Sequence, residues 1–222
     1  MKVLVTGASG YIGGQTAIQL HEQGHEVYGI DRRPLPDNLK TLNLFTGFSE
    51  HDFVLEDAMN WITYVNPDAI IHCAGTSLVG PSIANPSEYY DNNFVKTMSM
   101  LNYLVSNKLN NVRVIFSSSA ATYGEPVMLP IHEVDPAMPV SPYGESKLMV
   151  DQMLESYHRA YGLDYVSFRY FNACGADPEG ELGFEYNATH IIPSILRSIA
   201  QNESFVLNGI DFHTRDGTCI RD

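Results

Sequence analysis

The 222-residue sequence is short of basic residues, cysteine pairs and long apolar runs, and each shortage closes off a class of function. Its 13 Lys and Arg stand against 26 Asp and Glu, a formal net charge of -13, with the acidic groups scattered along the chain. Nucleic acid and anionic membranes are poor partners for such a surface, so phosphate must be held locally, by helix ends and a few placed arginines. Cys73, Cys174 and Cys219 are odd in number, far apart and form no C-x-x-C pair, which suits a reducing cytoplasm. No apolar run is long enough to span a bilayer, and only Val3, Leu4 and Val5 are consecutively apolar before Thr6, so neither a membrane helix nor a signal peptide is expected. The 8 histidines include no H-E-x-x-H or other ligand cluster, so no metal is expected. An apolar content of 44% remains ample for one substantial core.

What is present begins at Lys2–Gly14, KVLVTGASGYIGG. Val3–Val5 reads as a strand buried on both faces of a parallel sheet, and the pattern turns helical over Tyr11–Gln23. Between them Gly7, Gly10 and Gly13 permit a tight turn, close approach of backbone to a pyrophosphate, and close packing of helix on strand. The helix N-terminus offers N–H groups and a positive dipole end to phosphates. Gly24 suits the end of that helix, and a second strand, Glu26–Ile30, delivers Asp31, a carboxylate placed to take adenosine ribose hydroxyls. Arg32 and Arg33 would suit a 2′-phosphate, so NAD is favoured over NADP without being settled.

Pro34–Phe48 reads as a punctuated connection with weak strand character near Leu42–Phe45. Asp52 and Phe53 open a helical pattern over Val54–Val65. They have two readings of equal weight, an adenine contact or a helix-starting Asp with a core Phe. Asp68–Cys73 is a further strand ending in Ala74 and Gly75, where small residues let backbone come near a cofactor. After a loop at Thr76–Pro86, Ser87–Ser106 reads as one helix with an apolar stripe, Tyr90, Phe94, Met98, Leu101, Leu104 and Val105, serving the core or a subunit interface. The strand Asn111–Ser117 ends in three serines, Ser117–Ser119, that either cap a turn or present a hydroxyl to substrate. Ser141 is a good N-cap and Pro142 a good first helical residue, so Tyr143 and Lys147 share a face of a helix running to Tyr161. A neighbouring ammonium would lower the tyrosine pKa and fit it for general acid/base work. Leu163–Arg169 reads as a strand carrying Tyr170 at its end. Gly175–Asn187 reads as an acidic loop, Thr189–Gln201 as a helix and Ser204–Asn208 as a strand. Arg215 and Arg221 fall near the end, as phosphate ligands or as ordinary solvated charges.

Taken in order, GASGYIGG, IIHCAGTSLVG, EYYDNN, IFSSSAATYG, SPYGESK, RYFNACGADPEGELG and DGTCIRD resemble the UDP-glucose 4-epimerase family of extended short-chain dehydrogenases. The resemblance implies an α/β fold, a doubly wound parallel sheet of Rossmann type. It implies an NAD-binding domain over 1–170 and a partial nucleotide-sugar-binding region over 171–222. It implies a resident NAD, a UDP-sugar substrate and UDP-glucose/UDP-galactose interconversion through a 4-keto intermediate. Ser119, Tyr143 and Lys147 match the catalytic positions. Gly7, Gly10, Tyr11, Ile12, Gly13, Asp31, Asp52, Phe53, Ala74, Gly75, Asn92, Ser117, Tyr143, Lys147 and Tyr170 match cofactor contacts. Ser119, Tyr143, Asn172, His190, Ile191, Val206 and Arg221 match substrate-binding positions. Ala120 and Ala121 follow Ser119 where related dehydratases and decarboxylases carry acids, which leaves oxidation and re-reduction at C4 as the simplest chemistry. The family also implies a cytoplasmic enzyme and a homodimer formed by the helices at Ser87–Ser106 and Pro142–Tyr161.

The sequence departs from the family pattern in length, stopping before the stretch that completes the small C-terminal lobe. Asn208 stands for an aromatic and Ser77 for a lysine. Two other readings therefore accompany epimerisation: an NAD-holding protein without turnover, and an oxidoreductase of the same superfamily that consumes its cofactor.

Overall fold

In the computed structural model, residues 1–180, 182–183, 189–207 and 209–220 are described. The chain divides into two compact units, Met1–Tyr170 and Phe171–Asp222.

The first unit is built on six parallel strands: β1 (Lys2–Thr6), β2 (Glu26–Ile30), β3 (Phe45–Ser49), β4 (Ala69–His72), β5 (Arg113–Ser119) and β6 (Tyr165–Tyr170). Their order is β3-β2-β1-β4-β5-β6, the doubly wound arrangement expected. Because every strand is parallel, both sheet faces must be covered by crossover helices, and strand residues of both phases are apolar. On one face Leu4, Ile70, Val114 and Phe116 pack with Ile62, Leu101, Leu104, Val150 and Leu154. These come from α3 (Glu56–Val65), α6 (Lys96–Ser106) and α7 (Pro142–Tyr161). On the other, Val5 and Val27 pack with Ala8 and with Ala17 of α1 (Tyr11–Glu22).

α1, α7 and the strands other than β3 lie within a few residues of their expected places. α7 starts as its sequence dictates, Ser141 Oγ accepting the Gly144 N–H at 3.2 Å with Pro142 in the first turn, and it stops at Gly162 in the left-handed region. Four expectations are corrected. A short helix, α2 (Asp37–Thr41), interrupts the Pro34–Phe48 connection, and the following strand begins at Phe45, after Asn43 turns the chain with φ 50°. The loop after Gly75 contains a six-residue helix, α4 (Val79–Ala84). The single helix over Ser87–Ser106 is three segments, α5 (Pro86–Tyr89), a π-helical stretch Tyr90–Val95 and α6.

Among the described residues of the second unit the regular element is α8 (Ile191–Gln201). Residues 203–207 form no strand, and no strand is found among the unit's described residues. A strand at Ser204–Asn208 would need a partner for its backbone groups. Asn208 itself lies outside the described residues. No described helix is long and apolar enough to cross a membrane, and all three cysteines are free.

Candidate active site

The chain reverses direction across the sheet after β3, so β4 lies on the far side of β1 from β2. The crevice outside the strand ends at such a reversal is the ligand site of open parallel sheets. β1 runs into the glycine turn there. Gly7 takes φ +71°, and a Cβ on it would come 2.8 Å from Ala74 N, just beyond β4. A Cβ on Gly13 would lie 2.2 Å from Gly7 O. Turn, helix and β4 end meet only because these side chains are missing. Gly10 is the N-cap of α1, with Tyr11 and Ile12 opening the helix. Neither a side-chain cap nor an acid in the first turn competes for its positive end, which suits a pyrophosphate.

At the tip of β2, Asp31 is 7% exposed, and its carboxylate accepts the Ser9 N–H at 3.0 Å and the Arg33 N–H at 2.9 Å. The Arg33 guanidinium turns back on it, Nε lying 3.6 Å from Oδ1. A fixed, acceptor-only carboxylate suits ribose hydroxyls. Asp52 is paired with Lys96 at 2.6 Å. The Phe53 ring is buried and meets His72 edge-on at 5.0 Å, the core placement that was one of its two readings.

The loop Ala74–Thr76 is held from below by the π-helical segment. Asn92 Nδ2 donates to Thr76 Oγ1 at 3.1 Å. Asn93 accepts the Thr76 N–H at 2.8 Å and donates to Thr76 O and Ser146 Oγ. Ser146 Oγ donates in turn to the Tyr143 carbonyl at 2.7 Å, so one buried amide ties the loop to the first turn of α7. Sequence reasoning singled out Asn92 and passed over Asn93, because adjacent asparagines carry no sign of which is buried.

Ser117, Ser118 and Ser119 all lie within β5, whose alternation puts Ser117 and Ser119 on one face. The Ser119 hydroxyl is close enough to the Tyr143 phenol to oppose the rise in its pKa, and Ser119 Oγ accepts the Ala121 N–H at 3.1 Å. α7 can dock this closely because Gly144 has no side chain, a Cβ there falling 2.4 Å from Ala121 O. Lys147 is 5% exposed, donates from Nζ to Ser117 O at 2.9 Å and lies 4.8 Å from the centre of the Phe116 ring. The Ser117 hydroxyl donates to Cys73 Sγ at 3.3 Å, and its neighbourhood opposes the rise that burial causes in the Tyr170 pKa.

The expected lowering of the tyrosine pKa is overturned. Burial pushes the Tyr143 phenol above its ordinary value, the Ser119 hydroxyl opposes this, and Tyr89, edge-on at 6.4 Å, adds to it. Same-face spacing put Lys147 in the right region, but its charge falls on the Ser117 carbonyl and the Phe116 face. Burial lowers Lys147 itself to about 8, with Cys73 and Asp151 pulling it back up. Asp151, one turn further along α7, was missed although its i,i+4 spacing from Lys147 was readable. It accepts from Ser118, Ser167 and Arg169.

In the second unit Asn172 and Val206 are exposed, His190 is the N-cap residue of α8, and Ile191 opens that helix. Arg221 lies outside the described residues. Among those described, no group of His, Cys, Asp and Glu could hold a metal ion.

The NAD dependent epimerase/dehydratase family model matches residues 3–222. A UDP-glucose 4-epimerase of Halalkalibacterium halodurans is 42% identical over 100% of this chain and 66% of its own length. The crystal structure of UDP-glucose 4-epimerase from Brucella ovis in complex with NAD aligns at 38% identity with a TM-score of 0.88, over 98% of this chain and 67% of that one. That of the Bifidobacterium longum enzyme, in complex with NAD+ and UDP, aligns at 34% identity with a TM-score of 0.87, over 100% of this chain and 69% of that one. The chain thus spans about two thirds of the length of the relatives it matches. With the match running through residues 3–222, the chain belongs to the NAD dependent epimerase/dehydratase family.

Proposed function

We propose that the chain is an NAD-dependent isomerase of the cytoplasm that interconverts UDP-glucose and UDP-galactose through a 4-ketopyranose. The observation that carries this reading is the Tyr143–Ser119 pair at the tip of β5, backed by buried Lys147. The cofactor fit rests on the side-chain-free turn at Gly7, Gly10 and Gly13, the uncapped α1 N-terminus and the fixed Asp31 carboxylate. Asp52, Ala74, Gly75, Asn92, Ser117 and Tyr170 complete the proposed cofactor contacts, with Phe53 packed in the core beside them, and Asn172, His190, Ile191, Val206 and Arg221 the substrate contacts. When bound, the nicotinamide supplies a reversible hydride acceptor, so that none is consumed.

The residues supply the proton chemistry. Ser119 donates a hydrogen bond to the sugar 4-oxygen and holds it against Tyr143, whose ionised phenolate takes the 4-hydroxyl proton as the bond to hydrogen at C4 breaks. A phenol with a raised pKa is a strong base once ionised, and the proton it takes returns to the 4-oxygen as the keto group is reduced, so the same residue serves both directions. Lys147, held at the Ser117 carbonyl, would hold the nicotinamide side of the cofactor beside the reacting carbon. Ala120 and Ala121 bring no acid to eliminate water, so re-reduction is the remaining outcome. A homodimer through α6 and α7 belongs to the same reading, but its support shifts. Leu101 and Leu104 of the apolar stripe are fully buried in the core, while Tyr90, Phe94, Met98 and Val105 stay partly accessible, as do Tyr103 and Tyr157, and Tyr161 is exposed.

The test is to denature the purified protein and measure released NAD, then incubate intact protein with UDP-galactose and assay UDP-glucose. The expected result is bound NAD and interconversion without net NADH. Bound NAD without interconversion overturns the epimerase reading and leaves the cofactor. Stoichiometric NADH replaces it with an oxidoreductase.

A further inference from the structure

The strands that flank the reversal point, β1 and β4, end on a register pair, Thr6 and His72. His72 is fully buried, edge-on to Phe53 at 5.0 Å and stacked on Phe116 at 5.9 Å, and the chemistry above does not use it. Both ring nitrogens are engaged: Nδ1 lies 2.7 Å from Thr6 Oγ1 and Nε2 lies 2.9 Å from Thr97 Oγ1. The neighbours fix the direction of each bond. Thr97 gives its hydroxyl proton to Asn93 O at 2.6 Å, so toward His72 it can only accept, and the ring proton sits on Nε2. Nδ1 is then a bare acceptor for the Thr6 hydroxyl, and Thr6 Oγ1 in turn accepts the Ala74 N–H at 3.3 Å. Burial, with the charge of Lys147 behind it, holds His72 down to about 3, so the ring stays neutral over the working range.

Each end of this relay reaches a wall of the crevice. Thr6 pins Ala74, the residue that a Gly7 side chain would strike. Thr97 holds the Asn93 carbonyl, and Asn93 carries the Thr76 backbone and, through Ser146, Tyr143.

We propose that His72, neutral and with its proton fixed on Nε2, is a positioning residue that sets the gap between the glycine turn and the Ala74–Thr76 loop for a dinucleotide. The inference rests on the cofactor reading above. A dipolar ring with an acceptor at one end and a donor at the other is required; an apolar ring of similar size would fill the space and release both walls. Glutamine can reproduce the polarity, its carbonyl toward Thr6 and its amide toward Thr97.

The test compares the 222-residue protein with His72→Phe and His72→Gln, each stripped of cofactor and titrated with NAD, alongside thermal melting. In parallel, ¹⁵N-histidine NMR of the parent protein reads the tautomer. NAD should bind His72→Phe on the order of tenfold more weakly than the parent, while His72→Gln recovers to within about threefold, and the NMR should show a neutral ring protonated at Nε2 from pH 8 to pH 5. Unchanged NAD affinity in a folded His72→Phe overturns the proposal, as does a Gln variant that melts like the parent but binds as poorly as Phe. Protonation on Nδ1, or titration near pH 6.5, overturns it even if His72→Phe fails to fold. A parent protein that binds no NAD removes the cofactor reading itself, whereas a parent that binds NAD beside an unaffected His72→Phe removes only the role of His72.

Discussion

Lys147 and Asn172 show how differently the two units bury a polar side chain. Lys147 lies on a 20-residue helix that also buries Val150, Met153 and Leu154, and it has a carbonyl at 2.9 Å and an aromatic face beneath it. Asn172 is exposed on a stretch without regular structure. The helices differ in the same way. α7 seats its apolar side in the sheet core, whereas α8 buries no residue and leaves Ile191, Ile192, Leu196 and Ile199 between 44% and 70% exposed. Precise placement of reacting groups follows from core burial, because a side chain fixed on several sides has its rotamer chosen by packing. The first unit has that property at its proposed chemistry, whereas Asn172, His190, Ile191 and Val206 of the second are exposed.

The largest expected effect sharpens this contrast at the chemistry itself. Tyr143→Phe should cut turnover by about a thousandfold while NAD stays bound, measured by UDP-galactose conversion and by released cofactor. Retained turnover would remove Tyr143 from its role and leave the cofactor half standing alone. Next is the core: Leu101→Ala, at a fully buried position, should cost about 2–5 kcal/mol in denaturant unfolding. Acid comes third. Below pH 6.5 the unfolded chain binds a proton that folded His72 refuses until about 3, so stability falls as the pH drops through that window. Between pH 7 and pH 5 this one group costs about 2 kcal/mol, and His72→Gln should remove that part of the loss. The smallest effect belongs to the second unit, where Leu196→Ala, at a 61% exposed position, should change stability by less than about 0.5 kcal/mol. If it matches Leu101→Ala, the contrast between the units is broken.

Much of the fold was legible because parallel strands advertise themselves as short unbroken apolar runs, and Ser141-Pro142 and Gly162 mark the ends of α7 with their own backbone preferences. The β3 region was misplaced because Phe45–Ser49 contains Gly47 and polar residues, a composition that reads as connection. α4 was missed because Gly80 and Pro81 sit inside it. The tyrosine and lysine were found from their spacing together with the serine-tipped strand and the glycine turn before them, yet the sign of the tyrosine pKa shift was not, since spacing reports a shared face and says nothing of desolvation. His72, Thr6 and Thr97 escaped notice for a related reason. Each looks like an ordinary strand or helix residue until three elements bring them into one line.

The π-helical turn at Tyr90–Val95 acts as a phase slip in an otherwise continuous rod. A regular α-helix advances about 100° per residue, so the azimuth of every later side chain is dictated by every earlier one. The slip breaks that bookkeeping and lets Asn93 index itself to the Thr76 loop while Leu101 and Leu104 index themselves to the sheet. Deleting one residue there and restoring a uniform pitch would preserve the length of the rod to within a step, but no single rotation could then satisfy both ends.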